Sequence, residues 1–192
     1  LDIRLLVMDS SKICAETDRL ILRELDFGDQ QDLFEMDSDP EVHRYIFRRP
    51  VKAMSEITEV IRMILKQYQD FGTGRWAVLK KDSGEFLGCC GLKFYDTSVN
   101  GYKDFYELGY RFKRRHWGQG YATESCRAVI DFGFHNFLID TIFAMTDPEN
   151  ETSKKVLYKL GFEHKESFVD DDEPTDWFEL SRKSWQIGGR FS

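Results

Sequence analysis

Arg115-His116-Trp117-Gly118-Gln119-Gly120-Tyr121-Ala122-Thr123-Glu124 is the stretch whose neighbours decide the fold. Upstream, Tyr106, Leu108, Tyr110 and Phe112 alternate across Asp104 to Phe112, the period of a half-buried strand. Downstream, Ala122, Cys126, Val129, Ile130, Gly133 and Phe137 fall on one face of a helix spanning Tyr121 to Phe137. A strand therefore passes into a helix through a turn with glycines two residues apart. Glycine tolerates positive φ and close backbone approach, so the amides of Gly118, Gln119, Gly120, Tyr121 and Ala122 can point into one concavity. The free N–H groups and dipole of the helix start favour an anion there, and a diphosphate suits it well. Arg111, Lys113, Arg114, Arg115 and Arg127 stand against Glu124 alone in residues 111–127. The spacing is equally compatible with a tight turn beside a solvated basic face. A dinucleotide fingerprint ranks last, because it needs a third glycine where Thr123 stands and a strand that opens the domain.

Working outward, Arg19 to Arg23 reads as a short strand and Phe27 to Met36 as a short helix. Ser55 to Phe71 is a long helix: Ile57, Val60, Ile61, Ile64, Tyr68 and Phe71 recur at helical spacing, Ser55 can cap it, and Gly72 and Gly74 stop it. Trp76 to Leu79 and Phe86 to Leu92 flank Lys81-Asp82-Ser83-Gly84, a hairpin turn. A strand Thr141 to Thr146, a helix Asn150 to Leu160 closed by Gly161, and strands near Phe162–Phe168 and Asp176–Leu180 follow. This order predicts one domain over 1–192, core 17–185, with an α+β fold. The expected sheet is mixed and mostly antiparallel, with about six to seven strands flanked by about four helices.

Composition excludes several classes. The 192 residues are 41% hydrophobic and 15% aromatic, too rich in core formers for a disordered chain. No run approaches the roughly 18 apolar residues of a membrane span, and Leu1 to Val7 is too short and charged for a signal peptide. A formal net charge of −7 offers no global basic field for nucleic acid. Cys14, Cys89, Cys90 and Cys126 show no disulfide framework, which points to the cytoplasm. Cys126 and the vicinal pair read as core rather than as acyl-carrying nucleophiles. His43, His116, His135 and His164 are scattered singly, so no metal site is expected.

These residues resemble the GNAT N-acetyltransferases. Arg115-x-x-Gly118-x-Gly120 is similar to their acetyl-CoA turn. Thr17-Asp18-Arg19-Leu20-Ile21-Leu22-Arg23, Ser38-Asp39-Pro40-Glu41-Val42 and Glu107-Leu108-Gly109-Tyr110 resemble the RimJ/RimL-type branch. So do Asn150-x-x-Ser153-x-x-Val156-Leu157-x-Lys159-Leu160-Gly161-Phe162 and the closing region Asp176 to Trp185. The resemblance implies transfer of acetyl from acetyl-CoA, as cosubstrate, to a primary amine by direct attack. Arg115, Gly118, Gln119, Gly120, Tyr121 and Ala122 would hold the diphosphate. The backbone of Tyr110, Arg111 and Phe112 would pair with the pantetheine arm, and Asn150 and Ser153 would face the arm and its sulfur. For Asn150 a helix N-cap fits equally well.

An alkyl ammonium must lose a proton before it attacks, and the departing thiolate needs a proton. Glu107, on the strand leading into the turn, is the candidate base, with a plain strand carboxylate paired to Lys or Arg as the alternative. Family members commonly place a Tyr where Leu157 stands here; Tyr158 follows one position later, about 100° around the helix. RimJ/RimL-type members resemble this chain in having a serine where Ser153 stands, and the resemblance implies Ser153 as the group assisting the thiolate, with Tyr158 second. Glu163, Glu166, Asp170, Asp171, Asp172, Glu173 and Asp176 against Lys165 make an acidic segment that would attract a cationic amine, or serve as a soluble loop. The expected partner is an amine acceptor, either a protein N-terminus or a small molecule, with the chain a monomer or homodimer. A non-catalytic acyl-CoA-binding module is the alternative.

Overall fold

The computed structural model describes residues 12–46 and 48–188; the Leu1–Val7 reading lies outside them. Among the described residues are eight strands: β1 (Ile13–Glu16), β2 (Leu20–Arg23), β3 (Arg75–Lys80), β4 (Phe86–Tyr95), β5 (Phe105–Phe112), β6 (Thr141–Thr146), β7 (Glu163–Asp170) and β8 (Glu173–Ser181). The α-helices are α1 (Gln30–Asp37), α2 (Met54–Phe71), α3 (Tyr121–Asn136), α4 (Glu151–Lys159) and α5 (Arg182–Gly188). The strands form one sheet in the order β1-β2-β3-β4-β5-β6-β8-β7. Every pairing is antiparallel except β5 with β6.

The mixed, mostly antiparallel α+β reading holds, with one strand and one helix more than expected. The extra strand, β1, is four residues long at the sheet edge and half exposed, too short for a periodicity to register. The extra helix, α5, occupies the end of the region read as a closing strand. Ser55 does not cap α2. The N-cap is Ala53, and Glu56 instead reaches back to accept the N–H groups of Lys52 and Ala53 at 2.9 and 2.8 Å. Gly72, at φ 70°, ends the helix as expected.

Period-two alternation explains the vicinal cysteines. Cys89 and Ala77 face the core built by α1 and α2, whereas Cys90 and Val78 face the core built by α3 and α4. Cys90 Sγ lies 3.5 Å from Cys126 Sγ on α3. Burial pushes the Cys89 thiol up to about 12, so both chemistry and access favour a packing role. The C-terminal end of α3 is closed by Arg182, whose guanidinium donates to the carbonyls of Phe134, Phe137 and Ile139. A cation there satisfies carbonyls that the helix cannot and complements its dipole.

Candidate active site

β5 is laddered to β4 along its whole length, but it registers with β6 only at Glu107↔Phe143. Beyond that row both strands continue, to Phe112 and to Thr146, without pairing to each other. The middle of the sheet therefore opens as a wedge, and the β6-facing edge of β5 at residues 108–112 is free for an extended ligand.

The wedge leads to the glycine turn. Gly118 and Gly120 sit at φ 73° and 83°, left-handed values that favour glycine. Among the described residues no protein acceptor takes the N–H of Gly118, Gln119, Gly120, Tyr121, Ala122 or Thr123. Glu124 N–H is the first to bond back, to Gly120 O at 3.1 Å. Six consecutive unpaired donors at a helix N-terminus form an anion cradle. Trp117 is held beside it, its indole N–H donating to Phe112 O at 2.8 Å.

The basic side chains around the turn are mostly spoken for. Arg111 donates twice to buried Asp37 at the end of α1, at 2.7 and 2.9 Å. Burial would raise the Asp37 carboxyl, but Arg111 and His43 outweigh it and hold it below its ordinary value. Lys113 is paired with Asp32 and Glu35 at 2.5 and 2.6 Å, and Arg115 with Glu35 and Glu85. Arg115, Arg111 and Lys113 thus brace the turn against α1 and the β3–β4 hairpin. The anion cradle is made of main chain, a point that counting charges could not reveal. Exposed Arg114 makes no ion pair among the described residues and lines a cavity of about 530 Å³ with Glu35, Met36, Asp39, Val42, Lys113 and Arg115.

Asn150 is the N-cap of α4, its Oδ1 accepting the N–H of Ser153 at 3.1 Å. Ser153 is brought to β5: Tyr110 Oη lies 3.0 Å from Ser153 Oγ and 3.1 Å from Ser153 O. Burial pushes the Tyr110 phenol well above its ordinary value, so it stays protonated. Tyr158 is not part of this pair. It is 55% exposed and packs edge-on against Phe178, because five residues of α-helix turn it about 140° away from Ser153.

Glu107 sits at the closed end of the wedge and is buried, with a partner that the sequence did not disclose. Arg75 on β3 is ion-paired with Glu107 Oε2 and donates to Gly91 O at 2.7 Å and Glu107 O at 2.9 Å. Arg75, Gly91 and Gly109 are in register across three strands. Gly109 leaves the trough in which the arginine side chain lies, since a Cβ there would stand 2.2 Å from Arg75 Nη2, whereas a Cβ on Gly91 would meet the backbone of Gly74 and Arg75. Glu107 Oε1 has no protein hydrogen-bond partner among the described residues and faces the same side of the sheet as Lys93. Burial pulls the Lys93 ammonium below its ordinary value, against the pull of Glu107, and Lys93 Nζ rests 4.0 Å over the Tyr95 ring.

Three segments converge beyond Glu107. Arg48, in the α1–α2 loop, bonds Asp147 after β6 at 3.2 Å and lies in the field of Glu173 and Glu149. Asp170, at the tip of the β7–β8 hairpin, is raised by burial and by Asp171. Among the described residues no group of three or more His, Cys, Asp and Glu side chains converges to hold a metal, and no helix is long and apolar enough to cross a membrane.

A family profile described as "Acetyltransferase (GNAT) domain" matches residues 19–163. The chain is 35% identical over 157 residues to an uncharacterized N-acetyltransferase, p20, of Bacillus licheniformis, covering 82% of this chain and 85% of that one. A putative GnaT-family acetyltransferase from Bordetella pertussis superimposes with a TM-score of 0.75 at 20% identity, over 86% of this chain and 98% of the other. Spermidine N-acetyltransferase from Vibrio cholerae, solved with CoA and spermine, gives 0.72 at 18% identity, over 88% and 99%. The chain belongs to the GNAT acetyltransferase family and is an acetyl-CoA-dependent N-acetyltransferase.

Proposed function

We propose that this enzyme acetylates a primary amine on a positively charged acceptor, by direct attack in a ternary complex. The run of six unpaired amides at the mouth of the open wedge carries the reading, since it offers a diphosphate cradle continuous with a free strand edge. Acetyl-CoA supplies an acyl carbon activated as a thioester. Gly118 to Ala122 hold its diphosphate, the edge at Tyr110 to Phe112 aligns its pantetheine arm, and the Tyr110–Ser153 hydroxyl pair lies where the arm would pass α4. Glu107, with Oε2 fixed by Arg75 and Oε1 unbonded, takes the ammonium proton directly or through water. As the C–S bond breaks, the Ser153 hydroxyl, bonded to Tyr110, passes its proton to the leaving sulfur and is restored by the proton that the new amide nitrogen sheds.

Asp147, Glu149, Glu173 and Asp170 supply negative field at the acceptor end, and spermidine is the named substrate of one structural neighbour. Both support a polyamine-like acceptor. A protein N-terminus with nearby cationic residues is the second reading; the RimJ/RimL-type motif at Thr17–Arg23 supports it, and supports assigning the chain to that branch. Cys90 and Cys126, free thiols in hydrogen-bond contact at 3.5 Å, fit a reducing compartment and so a cytoplasmic site of action. CoA release from acetyl-CoA, measured across spermidine, an aminoglycoside and basic or neutral amino-terminal peptides, tests the proposal. Turnover should favour the cationic acceptors, with an acceptor KM that rises with salt. Turnover with none of them, or a KM indifferent to salt, would refute it.

A further inference from the structure

Arg19 immediately precedes β2, and its side chain crosses to the far end of the glycine turn. Its Nε donates to Glu124 Oε2 at 2.6 Å and its backbone N–H to Glu124 Oε1 at 3.2 Å. Its Nη1 donates to Gln119 O at 3.1 Å, and its Cζ lies 4.7 Å over the Tyr121 ring. Thr17 completes the enclosure, its hydroxyl donating to Glu124 Oε1 at 2.5 Å while accepting the N–H of Leu20 at 2.9 Å. Gly120 is so close that an added Cβ would meet Arg19 Nη2 at 3.4 Å.

Glu124 stands in the first turn of α3, against the unpaired amides. A carboxylate there suits the helix dipole but shares the sign of a bound diphosphate. Burial would raise the Glu124 carboxyl, yet the bonds from Thr17 and Arg19 outweigh it and keep the group ionised. Its charge must therefore be cancelled in place. Arg111, Lys113 and Arg115 are committed to Asp37, Asp32, Glu35 and Glu85, and among the described residues the ion pair to Glu124 comes from Arg19, not from Arg114 or Arg127.

We propose that Arg19 is a positioning residue for coenzyme binding that acts through Glu124, neutralising this carboxylate beneath the diphosphate and tying Gln119 to the β1–β2 corner. The inference rests on the glycine turn being the diphosphate site. Its partners explain why Thr17, Arg19, Gln119 and Glu124, separated by about a hundred residues, work as one unit.

Calorimetric titration of CoA into the wild-type protein and into Arg19→Ala, Glu124→Gln and the double variant tests it at low ionic strength. Arg19→Ala should weaken CoA about tenfold, the scale of one uncompensated charge a helical turn from the ligand. Glu124→Gln alone should bind CoA at least as tightly as the wild type, and the double variant should return to within about threefold of it. S-acetylpantetheine, a donor without the diphosphate, should be used by wild type and Arg19→Ala with kcat/KM equal within about twofold. Should the alanine variant be unstable, Arg19→Gln is judged by the same criteria. Unchanged CoA affinity in Arg19→Ala, a double variant as weak as Arg19→Ala, or an equal loss with S-acetylpantetheine would each overturn the role of Arg19. Absence of CoA binding by the wild type would instead overturn the diphosphate site itself.

Discussion

Gly109→Ala probes the trough that carries Arg75. Gly109 has an ordinary strand conformation, so alanine meets no backbone penalty, and the loss of unfolded-chain freedom alone would stabilise the fold by about 0.4–1 kcal/mol. The new Cβ, however, would fall 2.2 Å from Arg75 Nη2 and 2.5 Å from its Cζ, far inside contact distance. The guanidinium must leave, giving up its bonds to Gly91 O and Glu107 O and exposing Glu107 as a buried, uncompensated carboxylate. Breaking such a pair outright costs about 3–5 kcal/mol. Because the arginine is long and can re-seat part of its charge, a net loss of about 2–3 kcal/mol is expected. In a chain of this size that is a fall in Tm of about 6 °C. The assay is urea unfolding of Gly109→Ala in the wild-type and Arg75→Ala backgrounds, at matched m-values. With Arg75 gone the trough is empty, so the same substitution should become neutral or stabilising, and the sign of its effect should reverse. Equal destabilisation in both backgrounds, within the roughly 0.5 kcal/mol error of additivity, would refute the account of why position 109 is a glycine.

Arg182→Ala should destabilise the protein by about 2–4 kcal/mol in thermal or urea unfolding, since three carbonyls at the end of α3 lose a charged donor; lysine should restore part of this. Glu107→Gln should lower kcat/KM by about a hundredfold or more in steady-state assays, with the folded state retained by circular dichroism. Ser153→Ala and Tyr110→Phe should each reduce kcat about tenfold, and together by little more, because the two hydroxyls form one bonded pair. His116 is held below its ordinary value by burial, which Glu85 only partly opposes while Arg115 and Lys113 reinforce it. The unfolded chain therefore binds the proton first, and stability should fall as pH drops below about 6.5, an effect that His116→Gln should flatten in pH-resolved unfolding curves.

The sheet and its helices were legible because their signals are local. Alternation from Tyr106 to Phe112, the hairpin turn at Lys81–Gly84 and the helical recurrence of Ile57, Ile61 and Ile64 need no knowledge of partners. The glycine turn was legible for the same reason, since φ and strand–helix context follow from a few adjacent residues. Long-range pairing was not. Nothing near Arg75 says that it will cross Gly91 to reach Glu107, and nothing near Arg19 says that Glu124 lies opposite. The basic excess around the turn misled for this reason: the charges of Arg111, Lys113 and Arg115 are cancelled by carboxylates about 30 to 80 residues away on α1 and beside β4. Tyr158 and Ser55 show the limits of one-residue precision, where a single step along a helix moves a side chain to another surface.

The lone rung between Glu107 and Phe143 makes this molecule two half-sheets joined at a point, and in the proposed binding mode the thioester arm is laid along the seam like a missing slat. Hydrogen bonding across that seam is then shared between chain and ligand, so the register of the coenzyme-bearing half is set without reference to the other. The half carrying β6, β7 and β8 is thereby released from strict alignment. Its loops can be resized for differently shaped amines while the thioester grip stays intact, which gives a structural reason for one scaffold to serve many acceptors.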